Sequence, residues 1–122
     1  WHSAAAVSAL IDGLPEDALL CLDEAYADFA PPEAIPPLDV AETRVIRMRT
    51  FSKAHGLAGA RIGYAIGHAD LIAAFDRVRN HFGLGTVAQA GALAAISDRA
   101  WLGEVAALEE GIKHLRMKKS EA

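Results

Sequence analysis

The stretch A-L-L-C-L-D-E-A-Y-A-D-F, residues 18–29, decides the architecture. Its first five residues form a short, unbroken apolar run between turn signals. Such a run reads as a strand buried on both faces, the kind found in parallel sheets covered by helices. Cys21 then reads as a small buried hydrophobe within that strand. Asp23 falls at its carboxyl end, the side on which open α/β sheets bind ligands. Upstream, Ser3 is positioned to cap a helix whose Val7, Leu10, Ile11 and Leu14 share one face, with Gly13 and Pro15 ending it.

Downstream, residues 30–42 carry Pro31, Pro32, Pro36 and Pro37 among the acids Glu33, Asp39 and Glu42. They read as a long irregular surface connection, a kind of segment that is often functional or mobile. A second strand follows at 44–49 (R-V-I-R-M-R). Its three arginines require partners if the strand is buried. Residues 50–59 read as a loop, 61–66 (R-I-G-Y-A-I) as a third strand, and 69–80 as a helix using Leu71, Phe75 and Val78. Thr86 and Gln89 match a capping box, opening a helix to about residue 96. A last helix, from about 99 to 119, bears one apolar stripe: Trp101, Val105, Leu108, Ile112 and Leu115. Its acids precede its bases, as the helix dipole favours, and Glu109 and Lys113 are spaced to pair. The stripe calls for a partner surface. The whole order is an α/β pattern.

Composition narrows the function classes. The chain has 122 residues, enough for one domain of ordinary size, with 52% apolar residues and a net charge of −4. That describes a folded protein with a real core rather than a disordered chain. No basic excess exists to neutralise phosphates, so no nucleic-acid partner is expected. No apolar run is long enough to cross a bilayer, and the start lacks the pattern of a secretory signal. One cysteine permits no internal disulfide, and a cytoplasmic setting is the default. The five histidines, at 2, 55, 68, 81 and 114, show no ligand spacing, so no metal site is expected. His55 reads as a turn residue, with a place in the pocket lining as the alternative, and Asn80 and His81 as a helix-end cap, with contact to substrate or a neighbouring subunit as the alternative.

Two segments concentrate chemistry: L-D-E-A-Y-A-D-F at 22–29 and R-T-F-S-K-A-H-G-L-A-G-A-R-I-G-Y at 49–64. The first offers a carboxylate, Asp23, and a phenol, Tyr26. The second offers the hydroxyls of Thr50 and Ser52, the amine of Lys53 and the guanidinium of Arg61. Arginine beside loop hydroxyls makes a plausible phosphate clamp, because its forked donors match phosphate oxygens. Taken singly each residue has an ordinary reading: Lys53 as a solvated loop lysine, Asp23 and Tyr26 as a corner, Thr50 and Ser52 as turn hydroxyls, Arg61 as half of an ion pair. Together they are an acid, a phenol, an amine and an anion clamp, the set that pyridoxal 5′-phosphate needs.

The pattern D-E-A-Y, then T-x-S-K with its lysine thirty residues after the Asp, then Arg eight residues later, resembles the fold-type I pyridoxal-phosphate aminotransferases of class I/II. Within them it is most similar to the histidinol-phosphate aminotransferase branch, and R-N-H-F-G at 79–83 also fits. The resemblance implies a three-layer α/β/α piece of the large domain of that fold, with a mostly parallel sheet and one antiparallel strand at 61–66. It implies that Asp23 partners the pyridine nitrogen and Tyr26 the ring oxygen. Lys53 would be the covalent anchor and proton carrier, with Thr50, Ser52 and Arg61 as phosphate ligands. The implied reaction is amino transfer between an amino acid, such as histidinol phosphate or an aromatic amino acid, and a 2-oxo acid. The implied assembly is a homodimer. A related pyridoxal-phosphate lyase or decarboxylase shares these residues, and a non-catalytic fragment that only self-associates is the other alternative. Family chains are much longer, so residues 1–98 would be the central part of the cofactor-binding large domain. Residues 99–122 would begin the long interdomain helix, with the small domain absent.

Overall fold

A computed structural model describes the backbone of residues 2–120 and the side chains of residues 2–112. Helix α1, Ala4–Asp12, is capped by Ser3, whose hydroxyl accepts the Ala6 N–H. It leads to strand β1, Leu20–Asp23, and after the long connection to strand β2, Val45–Thr50. Strand β3 covers Gly63–Gly67, followed by α2 at Ala69–Asp76, α3 at Thr86–Ser97 and α4 at Arg99–Ser120. The three strands form one sheet in the order β1-β2-β3. β1 and β2 run parallel, with Asp23 opposite Met48. β2 and β3 run antiparallel, with Thr50 opposite Gly63. The antiparallel strand is thus the one that the resemblance implies. At Gly63 a Cβ would lie 2.7 Å from the Arg49 carbonyl, so glycine is what allows this close pairing.

Pairing of the arginines is what lets β2 sit in the sheet's middle. Arg47 is buried and meets Glu24 at 2.6 Å and 2.8 Å, while Arg49 Nε meets the other oxygen of Glu24 at 2.9 Å. Arg47 also donates to the carbonyls of Pro36 and Pro37, which pins the proline-rich connection to the sheet. At its far end Arg44 bonds Glu42 and the Leu14 carbonyl, fastening the connection to the end of α1.

The core is small. Phe51, Ile62 and Ala92 pack with Leu57, Ala60, Tyr64, Ala88 and Ala95, so α3 closes over the segment between β2 and β3. Several expectations change here. β1 is not buried on both faces: Leu20 and Leu22 are half-buried, but Cys21 alternates to the opposite face and is exposed. The run was short enough to be a strand, but it cannot reveal how many faces are covered. The helix after β3 ends at Asp76, with Arg77 as its cap, and Phe75 and Val78 are exposed. Thr86 is the first residue of α3, not its cap. Gly85 holds the cap position, and the Gln89 amide donates to the Leu84 carbonyl instead. On α4, Trp101, Leu108 and Ile112 are exposed and Val105 is half-buried, so the stripe is only partly covered along its described length. The side chains of Leu115 and Lys113 lie outside the described residues. No helix among the described residues is long and apolar enough to cross a membrane.

Candidate active site

Because β1 and β2 are parallel, their carboxyl ends leave the sheet at the same edge. The two segments singled out in the sequence follow directly from those ends. The first turns a corner. Asp23 Oδ1 accepts the Ala25 N–H at 2.9 Å, and the Glu24 carbonyl accepts the Ala27 N–H at 3.0 Å. A short 3-10 turn, Ala27–Phe29, follows, and its start exposes the Tyr26 ring beside Phe29. Asp23 is exposed at the strand tip.

The second segment folds into a compact loop. Thr50 Oγ1 accepts the Ser52 N–H at 3.1 Å. The Lys53 carbonyl accepts the Gly56 N–H at 2.9 Å, and Gly56 has φ +70°, a conformation glycine adopts without steric penalty. Lys53 is exposed, and its Nζ stands 5.2 Å from the centroid of the Tyr26 ring. This is cation–π range. It also brings the amine of one segment to the phenol of the other.

A cavity of about 370 Å³ opens between α1, the tip of β1 and the proline-rich connection. Asp23 and Tyr26 line it with Val7, Leu22 and Ile35; Lys53 does not. Among the described residues Arg61 makes no hydrogen bond to Thr50 or Ser52. Its guanidinium donates to the Ala58 carbonyl at 2.9 Å, within its own turn. Its backbone is left-handed, with φ 51°, the one non-glycine residue with positive φ among those described. Such strain, about 1 kcal/mol or more, is most common at functional sites.

Three features were not assigned from the sequence. Glu24, next to Asp23, is the buried carboxylate that satisfies both arginines of β2. The signal was available, since three arginines in a strand demand an acid, but nothing local says which acid. Arg49 is held charged more firmly than usual. Burial opposes its charge, and hydrogen bonds to Glu24 and Tyr64 outweigh that opposition. His55 is buried within the loop, its ring tilted at 45° against Phe51 with centroids 4.8 Å apart, and its Nε2 lies 3.7 Å from Asp28 Oδ2. Its Nδ1 has no hydrogen-bond partner among the described residues.

The family model for aminotransferase class I and II matches residues 3–119, and the chain belongs to that family. Among individual relatives, it is 51% identical over 89 residues to the histidinol-phosphate aminotransferase of Gluconacetobacter diazotrophicus, covering 70% of this chain and 25% of that protein. It is 45% identical over 89 residues to the aromatic amino acid aminotransferase of Mycobacterium avium, with the same coverage of each. The structure superposes with a TM-score of 0.84 on the histidinol-phosphate aminotransferase of Sinorhizobium meliloti in complex with pyridoxal-5′-phosphate, at 49% identity, over 87% of this chain and 29% of that one. The chain therefore spans between a quarter and a third of the length of these relatives.

Proposed function

We propose that this chain is the cofactor-holding segment of a pyridoxal-phosphate-dependent aminotransferase. The reaction would exchange an amino group between histidinol phosphate or an aromatic amino acid and a 2-oxo acid. The observation that carries the reading is the Lys53 amine 5.2 Å from the Tyr26 ring, at the sheet edge where β1 ends in Asp23. The substrate class is supported by the names of the relatives. In this reading residues 1–98 are the middle of the large domain and α4 begins the helix toward a second domain. A cytoplasmic homodimer is the expected state, and the exposed Trp101, Leu108 and Ile112 of α4 support pairing of copies.

The donor set fits the cofactor's chemistry. An exposed carboxylate and a phenol line one cavity, and an amine stands beside the phenol. When bound, pyridoxal phosphate supplies the electron sink for charge developing at the substrate α-carbon. Asp23 would partner the pyridine nitrogen and Tyr26 the ring oxygen. Lys53 would anchor the cofactor covalently and would hold or move the proton at the substrate α-carbon. Thr50, Ser52 and Arg61 would hold the phosphate.

Adding pyridoxal phosphate to the protein tests this reading. A visible absorption band, trapped by borohydride and mapped to the peptide bearing Lys53, is the expected result. In Lys53→Ala both the band and the label should vanish. Labelling elsewhere, or none, overturns the reading.

A further inference from the structure

The turn that carries Lys53 is closed by two of its own backbone bonds. These are Gly56 N–H to the Lys53 carbonyl and Leu57 N–H to the Phe51 carbonyl, both 2.9 Å. A third bond reaches it from far along the chain. Trp101 Nε1 donates to the carbonyl of Ala54 at 2.9 Å, across 47 positions. Ala54 directly follows Lys53 and is buried, so its carbonyl has little access to water.

Trp101 is itself held. Asp98 Oδ1 accepts its backbone N–H at 3.0 Å, which fixes the first turn of α4 in the manner of an N-cap. The same helix packs against the turn at Ala27–Phe29, which adjoins Tyr26. One helix thus touches both segments whose side chains meet at the sheet edge. Trp101 remains 46% exposed, so burial of its surface is not its whole contribution.

We infer that Trp101 is a positioning residue for Lys53: its indole N–H ties the lysine turn to α4 and holds the amine opposite Tyr26. The inference rests on the functional reading for its consequence and on the hydrogen bond alone for its mechanism. Trp101→Phe keeps an aromatic ring and removes the donor. Trp101→His restores a ring N–H at a similar distance from the backbone, since Nε2 of histidine and Nε1 of tryptophan occupy corresponding positions in their five-membered rings.

Amide hydrogen exchange on the full chain, without added cofactor, reads the tether directly. In W101F the Gly56 and Leu57 amides should exchange faster by about 2- to 12-fold, the span expected for one lost hydrogen bond. Amides in β2 serve as the internal control and should keep their wild-type rates. W101H should return the turn amides toward wild type. If W101F leaves them unchanged, or if W101H behaves as W101F does, the inference is wrong. Should W101F also loosen β2, the comparison of W101H with W101F decides alone. With pyridoxal phosphate added, borohydride-trapped label at Lys53 should accumulate more slowly in W101F than in wild type. A wild-type protein that takes no label overturns the functional reading, while the exchange data still decide the role of Trp101.

Discussion

Arg61 shows at one residue how strain and use are connected. Its left-handed backbone is unfavourable for a side chain that bears a Cβ, and among the described residues its guanidinium is engaged only by the carbonyl of its own turn. Arg61→Gly should therefore raise the unfolding midpoint in urea, by an amount corresponding to about 1 kcal/mol. The same change should weaken retention of pyridoxal phosphate during dialysis. A variant that is both less stable and equally retentive would contradict this. Glu42 makes a prediction about pH. The side-chain hydrogen bond from Arg44, aided by the Arg44 N–H and its charge, holds the Glu42 carboxyl below the usual carboxylate range. A group whose folded value is depressed contributes above its unfolded value, and the contribution fades as pH falls through the folded one. Glu42→Gln should thus be less stable than wild type near neutrality and equal to it in strong acid, as followed by thermal melts across pH. Single residues were unevenly legible. Asp23, Tyr26, Thr50, Ser52 and Lys53 stand out because residue type and spacing together imply a chemistry. The turning of Arg61 onto Ala58 leaves no such trace, because it depends on a local backbone angle. The burial of His55 depends on Phe51 and on Asp28, far off in sequence.

Among elements, Glu24 ties the end of β1 to β2. This carboxylate takes bonds from Arg47 and Arg49 and sits one residue beyond the end of β1. Glu24→Ala would leave two guanidinium groups without their acid inside the sheet. Breaking a buried pair in this way destabilises by about 3–5 kcal/mol, and urea unfolding of the variant should show a loss of that order. A loss under about 1 kcal/mol, the range of a surface ion pair, would mean that the proline carbonyls and water suffice for Arg47. The strands and helices were largely legible, since apolar runs and helical spacing are local signals. Their ends were less so. T-x-x-Q at 86–89 resembles a capping box, yet Gly85 occupies the cap, because its extended backbone starts the helix one residue earlier. The parallel direction of β1 and β2 was legible in the unbroken apolar run and in the resemblance, while the exposure of Cys21 reflects packing that no run of apolar letters encodes.

At the scale of the whole molecule, apolar content and apolar burial diverge. More than half of the residues are apolar, yet among those described only Val45, Phe51, Ala54, Ile62 and Ala92 form the buried hydrophobic core. Leu19, Val78, Phe82, Val87 and Leu93 stand well exposed. A sequence reading that expects a real core from composition sees the supply of apolar surface but not its distribution. The chain covers about a quarter of the length of its relatives, and a surface this apolar is the kind that interacts with other protein surface. The strand order adds a second opening. Among the described residues β1 is at the margin of the sheet, so one side of its backbone has no neighbouring strand, beside exposed Leu19. That margin is a template onto which a strand from another molecule can zip, and concentrated solutions of the chain should turn turbid from there. Placing a gatekeeper charge at the spot, as Leu19→Lys, should slow light scattering on warming while leaving the melting temperature near its original value.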